Sequence, residues 1–595
     1  MSISQILQNG LSGLRASQAG LAAISQNIAN ANTIGYSRQS VSLEQQVING
    51  VSSGVTVGDT KRLVDNFLTR EVQIQKASEG QAKVVSDFYN IIQTRFGTPG
   101  GNNSLSADLS RFGAALETLA INPEDSALRF NVVSTGVSVA RGISQLAAGM
   151  QTLRGQADSG VDQTVDQINA QLSTVFTLNA AISRLKAQGG ITAALEDQRD
   201  VTLSELSKNI AISTFTRSSG EVTILAQGGL TLLDTELREL DYSPATSVSA
   251  NTAFGAVNLF TINAAGQRVG SAQILVGPGV SSAVVNNVTG GHLKGLLDIR
   301  DKVLPALDSQ ISTLASTVRS EYNALHNSGS SFPAVNSLTG TRSVTNGDAF
   351  AATGNLRIAV LNADGTLVAD AVDIDLTATG ATTVGALVAT INTALGANGS
   401  AAVVNGKLVI SATDSTKGIA INTRDSKVTG TTQGFPDFFG LNDFFIGTGG
   451  TDFAVRTDII SDPSRVSMGK LSTTATSGKS GISVGDNSVI TSLSGLTQKG
   501  ITFAAVSGLP AGTFTLEEYS GAILGLNAVQ AARAEESAEL QGDMLANLEF
   551  RKTSLIGVNV DEELANILVF QNSFAASARV VNSAQEMFDA LLNIV

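Results

Sequence analysis

The chain has 595 residues, and 38 Lys and Arg against 51 Asp and Glu give it a formal net charge of −13 at pH 7, which disfavours nucleic acid and anionic membranes as partners. Cysteine is absent, which excludes disulfides, thiol nucleophiles and thiolate metal sites, and His292 and His326 lie in no recognisable catalytic motif. No apolar run approaches the ~20 residues of a membrane helix, so we expect no membrane insertion.

A heptad pattern runs through the first thirty residues. Six of the eight positions taken in alternating steps of four and three are apolar, namely Ile3, Leu7, Leu14, Leu21, Ile24 and Ile28. The other two positions hold Gly10 and Ser17. One narrow apolar stripe on an otherwise polar segment is typical of a coiled-coil seam. We therefore predict an N-terminal helix that needs a partner helix along this stripe.

A long helix is predicted in the first half of the chain. Asn122 and Pro123 form a start signal, with Asn as the cap and Pro at the first helical position. The helical pattern continues to Gly189, and a helix of that length would extend roughly 90 Å. Further helices are predicted at residues 62–96, 194–209, 293–326 (kinked at Pro305) and 521–556.

Two regions alternate between apolar and polar residues, which predicts β structure. The first covers residues 211–289, in which Arg268 is the one charged residue after Asp241. The second contains strands at 356–361 and 371–376, a helix at 383–395 and a hairpin around an Asn-Gly turn at 405–406. We expect this second block, residues 346–435, to be a self-contained ββαββ domain that can be excised without unfolding the rest.

The C-terminal segment repeats the pattern of the N-terminal one. Its seam contains Leu564, Ile567, Phe574, Ala578, Val581, Phe588, Leu592 and Val595. Asn559 stands three residues before Glu562, as in a capping box, and acidic residues fill the first turn, where the helix dipole favours them. Two seams, one at each end, predict that the end helices pair with each other.

The pairing of the end helices has two interpretations. In one, they close a monomer like a clasp, and in the other, neighbouring subunits order them. Single helices are marginal in water, and a two-helix coil away from a core buries little surface. The second interpretation, an assembly protein, is therefore favoured.

The predicted fold class is α+β and multidomain, with a long helical coiled-coil core built from both termini and β-rich domains inserted mid-chain. The predicted domains are a terminal coiled-coil domain (1–60 and 546–595), a helical body (61–210, 290–326 and 502–545), a β-rich part of that body (211–289), a β-rich outer domain (327–345 and 436–501) and the inserted block (346–435).

Several motifs resemble the bacterial flagellar axial proteins, a family that includes rod, hook and hook-associated proteins. Residues 27–39 read NIANANTIGYSRQ, and residues 557–564 read GVNVDEEL ahead of FQNSFAASAR at 570–579. Internal matches are LEDQRD at 195–200, NALHN at 323–327 and FGLNDFF at 439–445. The GYSRQ ending is most similar to the hook-associated members of the family.

The resemblance implies a structural subunit of the hook–filament junction, located outside the cell after export without a cleaved signal peptide. The implied partners are the hook protein, a second hook-associated junction protein, further copies of the chain in a ring, and an export chaperone on the C-terminal helix. We assign the assembly interface to the two seams and to five motif residues: Asn27, Asn30, Thr33, Gly35 and Tyr36. We predict no catalytic, cofactor-binding or metal-binding residues.

Three other interpretations stay open. A second junction protein or a hook subunit would share the end motifs, whereas a coiled-coil adhesin would carry sequence repeats that the chain lacks. A secreted enzyme is disfavoured, because the glycine-rich residues 447–450 are not followed by the Lys-Ser/Thr of a phosphate-binding loop. His326, at the end of a predicted helix, is expected to cap or pack.

Overall fold

The structure is a computed structural model that describes residues 2–48, 51–97, 101, 104–278 and 284–592. The chain divides into two units. Unit 1 comprises Met1–Phe88, Gly155–Arg300 and Ala532–Val595, and unit 2 comprises Tyr89–Arg154 and Asp301–Ala531.

The helices account for much of both units. In chain order they are α1 (Ile3–Ala29), α2 (Asn66–Phe96), α3 (Leu105–Ile121), α4 (Ser126–Ala187), α5 (Ala193–Asn209), α6 (His292–Asp298), α7 (Leu304–His326), α8 (Val384–Leu395), α9 (Phe435–Phe439), α10 (Thr457–Ser461), α11 (Ser488–Ser494), α12 (Leu516–Ile556) and α13 (Val560–Leu592). A π-helical turn at Ile299–Val303 joins α6 to α7, and 3-10 turns lie at Pro463–Arg465 and Gly495–Thr497.

The strands are short in most of the chain. In chain order they are β1 (Gln39–Ile48), β2 (Val51–Arg62), β3 (Ile212–Thr216), β4 (Val222–Ala226), β5 (Thr231–Leu233), β6 (Leu237–Asp241), β7 (Val257–Ile262), β8 (Arg268–Pro278), β9 (Val284–Asn286), β10 (Ser337–Ser343), β11 (Ala352–Thr353), β12 (Asn355–Leu361), β13 (Val372–Asp375), β14 (Gly399–Val404), β15 (Lys407–Ala412), β16 (Gly418–Asn422), β17 (Lys427–Val428), β18 (Phe445–Ile446), β19 (Ala454–Val455), β20 (Ile501–Phe503) and β21 (Gly512–Phe514).

Unit 1 contains an antiparallel hairpin, β1–β2, and a seven-stranded antiparallel sheet in the order β3 to β9. Two asparagine side chains of α4 form hydrogen bonds with backbone groups of this sheet. The Asn179 amide bonds to the backbone N–H and C=O of Val222 at 3.0 and 2.8 Å, and Asn169 does the same at Leu240 at 2.7 and 2.9 Å. Buried polar groups need such partners, so these side chains fix the register of the helix against the sheet.

The β part of unit 2 contains two three-stranded sheets, β10-β15-β14 and β13-β12-β16, and the two-stranded sheets β11-β17, β18-β19 and β20-β21. Helix α8 packs against strands of both sheets. Its apolar face, Val384, Leu387, Ile391 and Leu395, lies in one core with the inner faces of the strands. The α+β fold class is therefore as expected, with helical ends and β regions between them.

The long predicted helix is confirmed, but it starts later than expected. Helix α4 begins at Ser126, and the Asp125 carboxylate caps it by accepting from Ala127 N at 2.7 Å. Asn122 is instead the C-cap of α3, a helix that the sequence reading missed. The seam of α4 is buried along its length: Val132, Val139, Ile143, Met150, Leu153, Val161, Val165, Ile168, Leu172, Val175 and Ile182.

Two further differences concern β structure. The hairpin β1–β2 was not expected inside the terminal coiled-coil domain. Residues 436–501, expected to be β-rich, contain the two-residue strands β18 and β19 and the first residue of β20 among the described elements, together with most of α9, with α10 and α11, and with two 3-10 turns. In that stretch buried aromatic side chains form the core in place of strands: Phe444, Phe445 and Phe453.

The elements predicted within residues 346–435 are present, but the block does not close on itself. Strand β10, which precedes the block, pairs with β15 inside it. Leu338, Phe439 and Leu441, from outside the block, lie in the same apolar core as its strands and α8. The expected clean excision is therefore not supported, because long-range pairing across the boundary cannot be read from local alternation.

Deletion of residues 346–435 with a Gly/Ser linker should destabilise the rest of unit 2. Leu338, Phe439 and Leu441 would lose their cover, and exposing a large apolar side chain costs about 1.5–3 kcal/mol. Thermal unfolding of the purified protein measures the effect, with insertion of the same linker after the exposed Gly380 as the control. An unchanged transition for the remaining unit 2 residues would show that the block is independent after all.

Candidate assembly site at the paired chain ends

Helices α1 and α13 pack along each other in antiparallel orientation within unit 1. A Cβ atom on Gly10 would lie 2.8 Å from Val581, one on Gly13 would lie 2.7 Å from Ser577, and one on Gly20 would lie 2.4 Å from Phe570. These glycines therefore let the two backbones approach closely, which larger residues would prevent. The predicted pairing of the end helices is confirmed.

The contact is made by small residues rather than by the leucines of the predicted stripe. The buried residues of α1 are Gly10, Ala16, Ser17, Gly20, Ala23, Ile24 and Asn27. Ile3, Leu7, Leu14, Leu21 and Ile28 are only half-buried. Gly10 and Ser17, which interrupt the apolar pattern, were the signal for this contact. The leucine stripe lies beside it and keeps part of its surface in water.

Much of the predicted C-terminal seam is also exposed to solvent. Ile567, Phe574, Ala578 and Val581 are half-buried, while Leu564, Phe588 and Leu592 are 50, 57 and 63% exposed. Leu568, Val569 and Leu591 extend the exposed surface. Val595 lies outside the described residues. Exposed apolar surface of this extent on a helix pair is a mark of an interaction site.

The residues of the N-terminal motif shape the turn that follows α1. The Asn27 carboxamide oxygen accepts from Tyr36 Oη at 2.8 Å and from Gln39 N at 2.9 Å, and Asn27 Nδ2 donates to Gln39 O at 2.9 Å. Burial, with the nearby Asp197 and Glu563 charges, raises the pKa of Tyr36 to about 12, so the hydroxyl stays a donor. The contacts of Asn27 and Tyr36 are thus intramolecular.

The other three motif residues complete this turn. Asn30 Nδ2 donates to Gln26 O at 2.9 Å, and Thr33 Oγ1 donates to Asn30 Oδ1 at 3.2 Å. Gly35 has φ +82° and a Cβ there would lie 2.1 Å from Val201, so only glycine fits. A direct contact of the five motif residues with neighbouring subunits stays a prediction.

Arg38, which ends the turn, joins the N-terminal segment to the C-terminal helices. Its backbone N–H donates to Ile556 O at 3.2 Å, at the end of α12. Its guanidinium donates from Nε to Glu563 Oε1 and from Nη2 to Glu562 Oε1, both at 2.7 Å. The Glu562 hydrogen bond, against the cost of partial burial, raises the pKa of Arg38. One residue thus spans the turn between α12 and α13.

The capping prediction for α13 is half right. Asn559 Oδ1 accepts from Asp561 N at 3.1 Å and from Glu562 N at 3.4 Å, as an N-cap should. Glu562, expected to return a bond to the cap, instead binds Arg38. The acidic first turn therefore serves both the helix dipole and the arginine.

A second arginine, Arg62, ties β2 to α5. It pairs with Glu196 at 3.0 Å, Asp197 at 2.6 Å and Asp200 at 2.9 Å. Burial alone would lower the pKa of Arg62, but Asp200 and Asp197 outweigh it and raise the pKa above its usual value. Asp197 also accepts from Ser37 N at 3.3 Å. The LEDQRD motif therefore meets the N-terminal motif in space, which no sequence spacing indicated.

A cleft of about 370 Å³ lies where α1, β1 and α13 meet. Ala23, Ile24 and Phe570 give it apolar walls, and Arg38 and Glu563 lie at its border. A cleft of this kind can take an apolar side chain from another protein.

The internal motifs at 323–327 and 439–445 bind each other within unit 2. Asn323 Oδ1 accepts from the N–H groups of Phe444 and Phe445 at 3.0 and 2.9 Å, and Asn327 Nδ2 donates to Asp443 Oδ1 at 2.7 Å. His326 is fully buried there: Nδ1 donates to Asn442 O at 2.5 Å and Nε2 accepts from Ser467 N at 2.9 Å. His326 therefore packs and bonds, as expected.

Neither a metal centre nor a membrane span is found in the part of the chain that the structure describes. No group of three or more His, Cys, Asp and Glu there could hold a metal ion. None of the helices in the same part is long and apolar enough to cross a membrane.

Comparisons with known proteins agree with the motifs. The family described as flagellar hook-associated protein FlgK helical domain matches residues 90–339. The family described as flagella basal body rod protein matches residues 7–36, and the flagellar basal body rod FlgEFG protein C-terminal family matches residues 556–594. The two rod-type matches thus fall on the paired helices α1 and α13.

Full-length relatives are found among characterised proteins. The chain is 26% identical to flagellar hook-associated protein 1 of Escherichia coli K12 and 25% identical to that of Salmonella typhimurium LT2, in each case over 100% of both chains. Among solved structures, the flagellar hook junction protein FlgK of Burkholderia pseudomallei matches 82% of this chain and 100% of its own, with a TM-score of 0.48 and 16% identity.

Replacing Arg62 with Ala should destabilise unit 1 by roughly 3–5 kcal/mol, because Asp197 would stay buried without its partner. Arg62→Lys should lower the free energy of unfolding by less than Arg62→Ala does, but it should still lower it. An ammonium cannot bridge three carboxylates as a guanidinium does. Urea unfolding of the purified protein measures both. The neighbouring exposed Lys61→Ala is the control, and an equal effect of Lys61→Ala and Arg62→Ala would contradict the assignment.

The stability of unit 2 should fall as the pH drops from 6.5 to 4. Burial lowers the pKa of His326 from 6.5 to about 4, with smaller effects of Arg456 and Asp458. The unfolded chain therefore binds a proton in that window before the folded one does, which costs about 3 kcal/mol at pH 4.

The difference in unfolding free energy between the protein and His326→Asn, measured at pH 7 and pH 4, isolates this histidine. Asp437 and Asp443, whose pKa values burial raises, act in the opposite direction but contribute equally to both proteins. An identical pH dependence of the two would contradict the assignment.

Proposed function

The chain belongs to the family of flagellar hook-associated protein 1, and we propose on that premise that it is the structural subunit that joins the flagellar hook to the filament. The observation that carries the proposal is the match to proteins of that name over the whole of both chains. The family matches at both ends and in the middle of the chain support the same proposal.

The paired ends support the proposed role of a subunit in an assembly. Helices α1 and α13 bury small residues against each other and leave Leu564, Phe588 and Leu592 exposed. Contacts with further copies in a ring, with the hook protein and with a second junction protein would cover this surface. The two seams and the motif residues around Asn27 are the interface that we propose.

Export and location follow from the same proposal. The protein would leave the cell and take its place outside, at the tip of the hook. A chaperone with an apolar groove would hold α13 before export, because exposed apolar residues of α13 recur four positions apart, as in the pairs Leu564 with Leu568 and Phe588 with Leu592. We propose no enzymatic activity, since His326, the histidine of the internal motif, is fully bonded inside unit 2.

One observation favours a second candidate, another axial protein such as a rod or hook subunit. The rod-type families match the two ends. These families cover only the paired helices, whereas the hook-associated helical domain covers residues 90–339. The middle of the chain therefore favours the junction.

A strain that lacks the gene tests the proposal. It should build hooks, carry no filaments and release flagellin as monomer into the medium, and the gene on a plasmid should restore filaments. Hooks with normal filaments in the deletion strain would contradict the junction function. Absence of hooks as well would favour a rod or hook subunit.

Leu21→Asp and Phe588→Asp should each abolish filament attachment while export and folding persist. Both side chains are partly exposed in the single chain, so folding loses little, but a carboxylate desolvated at a helix contact costs several kcal/mol.

The measurement is filament counting by electron microscopy together with the amount of exported protein. Gln18→Asp and Asn582→Asp, at exposed positions of the same helices, are the matched controls. Normal filaments in both Leu21→Asp and Phe588→Asp would show that the seams are not interfaces.

A further inference from the structure

Helix α2 carries an exposed stripe of mixed character on its outer face. The stripe consists of Phe67, Arg70 and Ile74, at spacings of three and four residues. Phe67 is 73% exposed and Ile74 is 40% exposed. Among the described residues, no carboxylate forms an ion pair with Arg70. We name these three residues the α2 stripe.

Helix α12 carries a second exposed stripe with the opposite charge. It consists of Glu536, Leu540, Asp543 and Phe550, all exposed and again at helical spacing. Leu540 is 55% exposed and Phe550 is 73% exposed. The carboxylates of Glu536 and Asp543 form no ion pair within the described parts of the chain, nor does that of the adjoining Glu539. We name the four residues the α12 stripe.

The two stripes point away from each other. Helices α2 and α12 pack side by side in unit 1, where Gln75 Nε2 donates to Gln541 Oε1 at 2.8 Å and Lys76 pairs with Glu549 at 3.4 Å. With about 100° of rotation per residue, the α2 stripe lies on the half of α2 that is opposite Gln75 and Lys76. The α12 stripe lies likewise on the outer half of α12. Arg70 and the acids therefore face different directions.

We infer that the α2 stripe of one copy binds the α12 stripe of a second copy. The charges favour this occupant: Arg70 on one surface meets Asp543, Glu536 and Glu539 on the other, with apolar anchors on both sides. Like charges four residues apart, such as Glu539 and Asp543, destabilise an isolated helix slightly, and a facing arginine removes that repulsion. Aromatic and arginine anchors are the residues in which interfaces are enriched.

The contact is head-to-tail, because two different surfaces of one chain meet. Such heterologous contacts close into rings or continue into helical assemblies, unlike a twofold contact of one surface with itself. The inference rests on the proposed function, in which several copies stand side by side. It adds a lateral contact on unit 1 that is separate from the paired ends.

Cross-linking tests the contact in assembled flagella, and the absence of native cysteine makes the result unambiguous. Ile74→Cys and Leu540→Cys are combined in one chain. A disulfide between two copies can form only if the contact brings these two Cα atoms within about 7 Å. Oxidation should give a ladder of covalent multimers on a non-reducing gel. Each single cysteine variant should stay monomeric, because its partner position lies on the other surface.

Charge exchange provides a second test that needs no oxidation. Arg70→Glu alone should lower the number of attached filaments, on the order of tenfold, because like charges then face each other across the contact. Glu539→Arg with Asp543→Arg should have a similar effect, and all three changes together should restore filaments. Lys83→Glu, at an exposed position of α2 that pairs with Asp87 in its own helix, is the matched control and should leave filaments unchanged.

The outcomes separate this inference from the proposed function. A double cysteine variant that builds filaments but gives no ladder would overturn the inference and leave the junction function intact. Dimers from a single cysteine variant, or a cross-link to a different polypeptide, would also overturn it. Failure of the unmodified gene to restore filaments would instead contradict the proposed function.

Discussion

The close contact between α1 and α13 is the constraint on which the rest of the chain depends. Gly10, Gly13 and Gly20 let the two helices approach until the backbone of α1 nearly touches side chains of α13. Because α1 and α13 pack together, the chain that connects them starts and ends at this helix pair. The narrow contact also leaves the leucine stripe half-buried and much of α13 exposed, and this is the surface that we propose other subunits cover.

Two arginines connect the N-terminal segment to other helices of unit 1. Arg38 bonds to Ile556 and to Glu562 and Glu563, across the turn between α12 and α13. Arg62 holds three carboxylates of α5. Glu563 and Asp197 are buried beside these arginines, and a buried carboxylate is tolerated only when it is paired. The motifs at the two ends and at 195–200 therefore supply two ion-pair clusters, which the hydrogen bond from Ser37 N to Asp197 connects.

The sequence predicted the elements better than their contacts. The heptads of α1 and α13 and the seam of α4 follow from periodicity, because burial selects apolar residues at helical spacing. Helix α3 was missed although Leu109, Phe112, Leu116 and Leu119 carry the same spacing. The hairpin β1–β2 was missed as well, although Val41, Leu43 and Val47 stand at alternate positions among polar residues. Register shifts beside Leu43 and Val47 make its pairing irregular. Its β2 strand packs along α1, with Val55 N donating to Ser12 Oγ at 3.1 Å, which is a tertiary contact.

The candidate site shows the same limit. The heptad pattern indicated the leucines of α1, whereas the structure buries Gly10 and Ser17. The central claim is that other copies complete the contact between α1 and α13. Hydrogen exchange of the α1 and α13 amides, compared between the purified protein and isolated flagella, tests it most directly. We predict fast exchange in the purified protein and strong protection in flagella, with α4 protected equally in both. Protection of α1 and α13 in the purified protein as strong as that of α4 would contradict the claim.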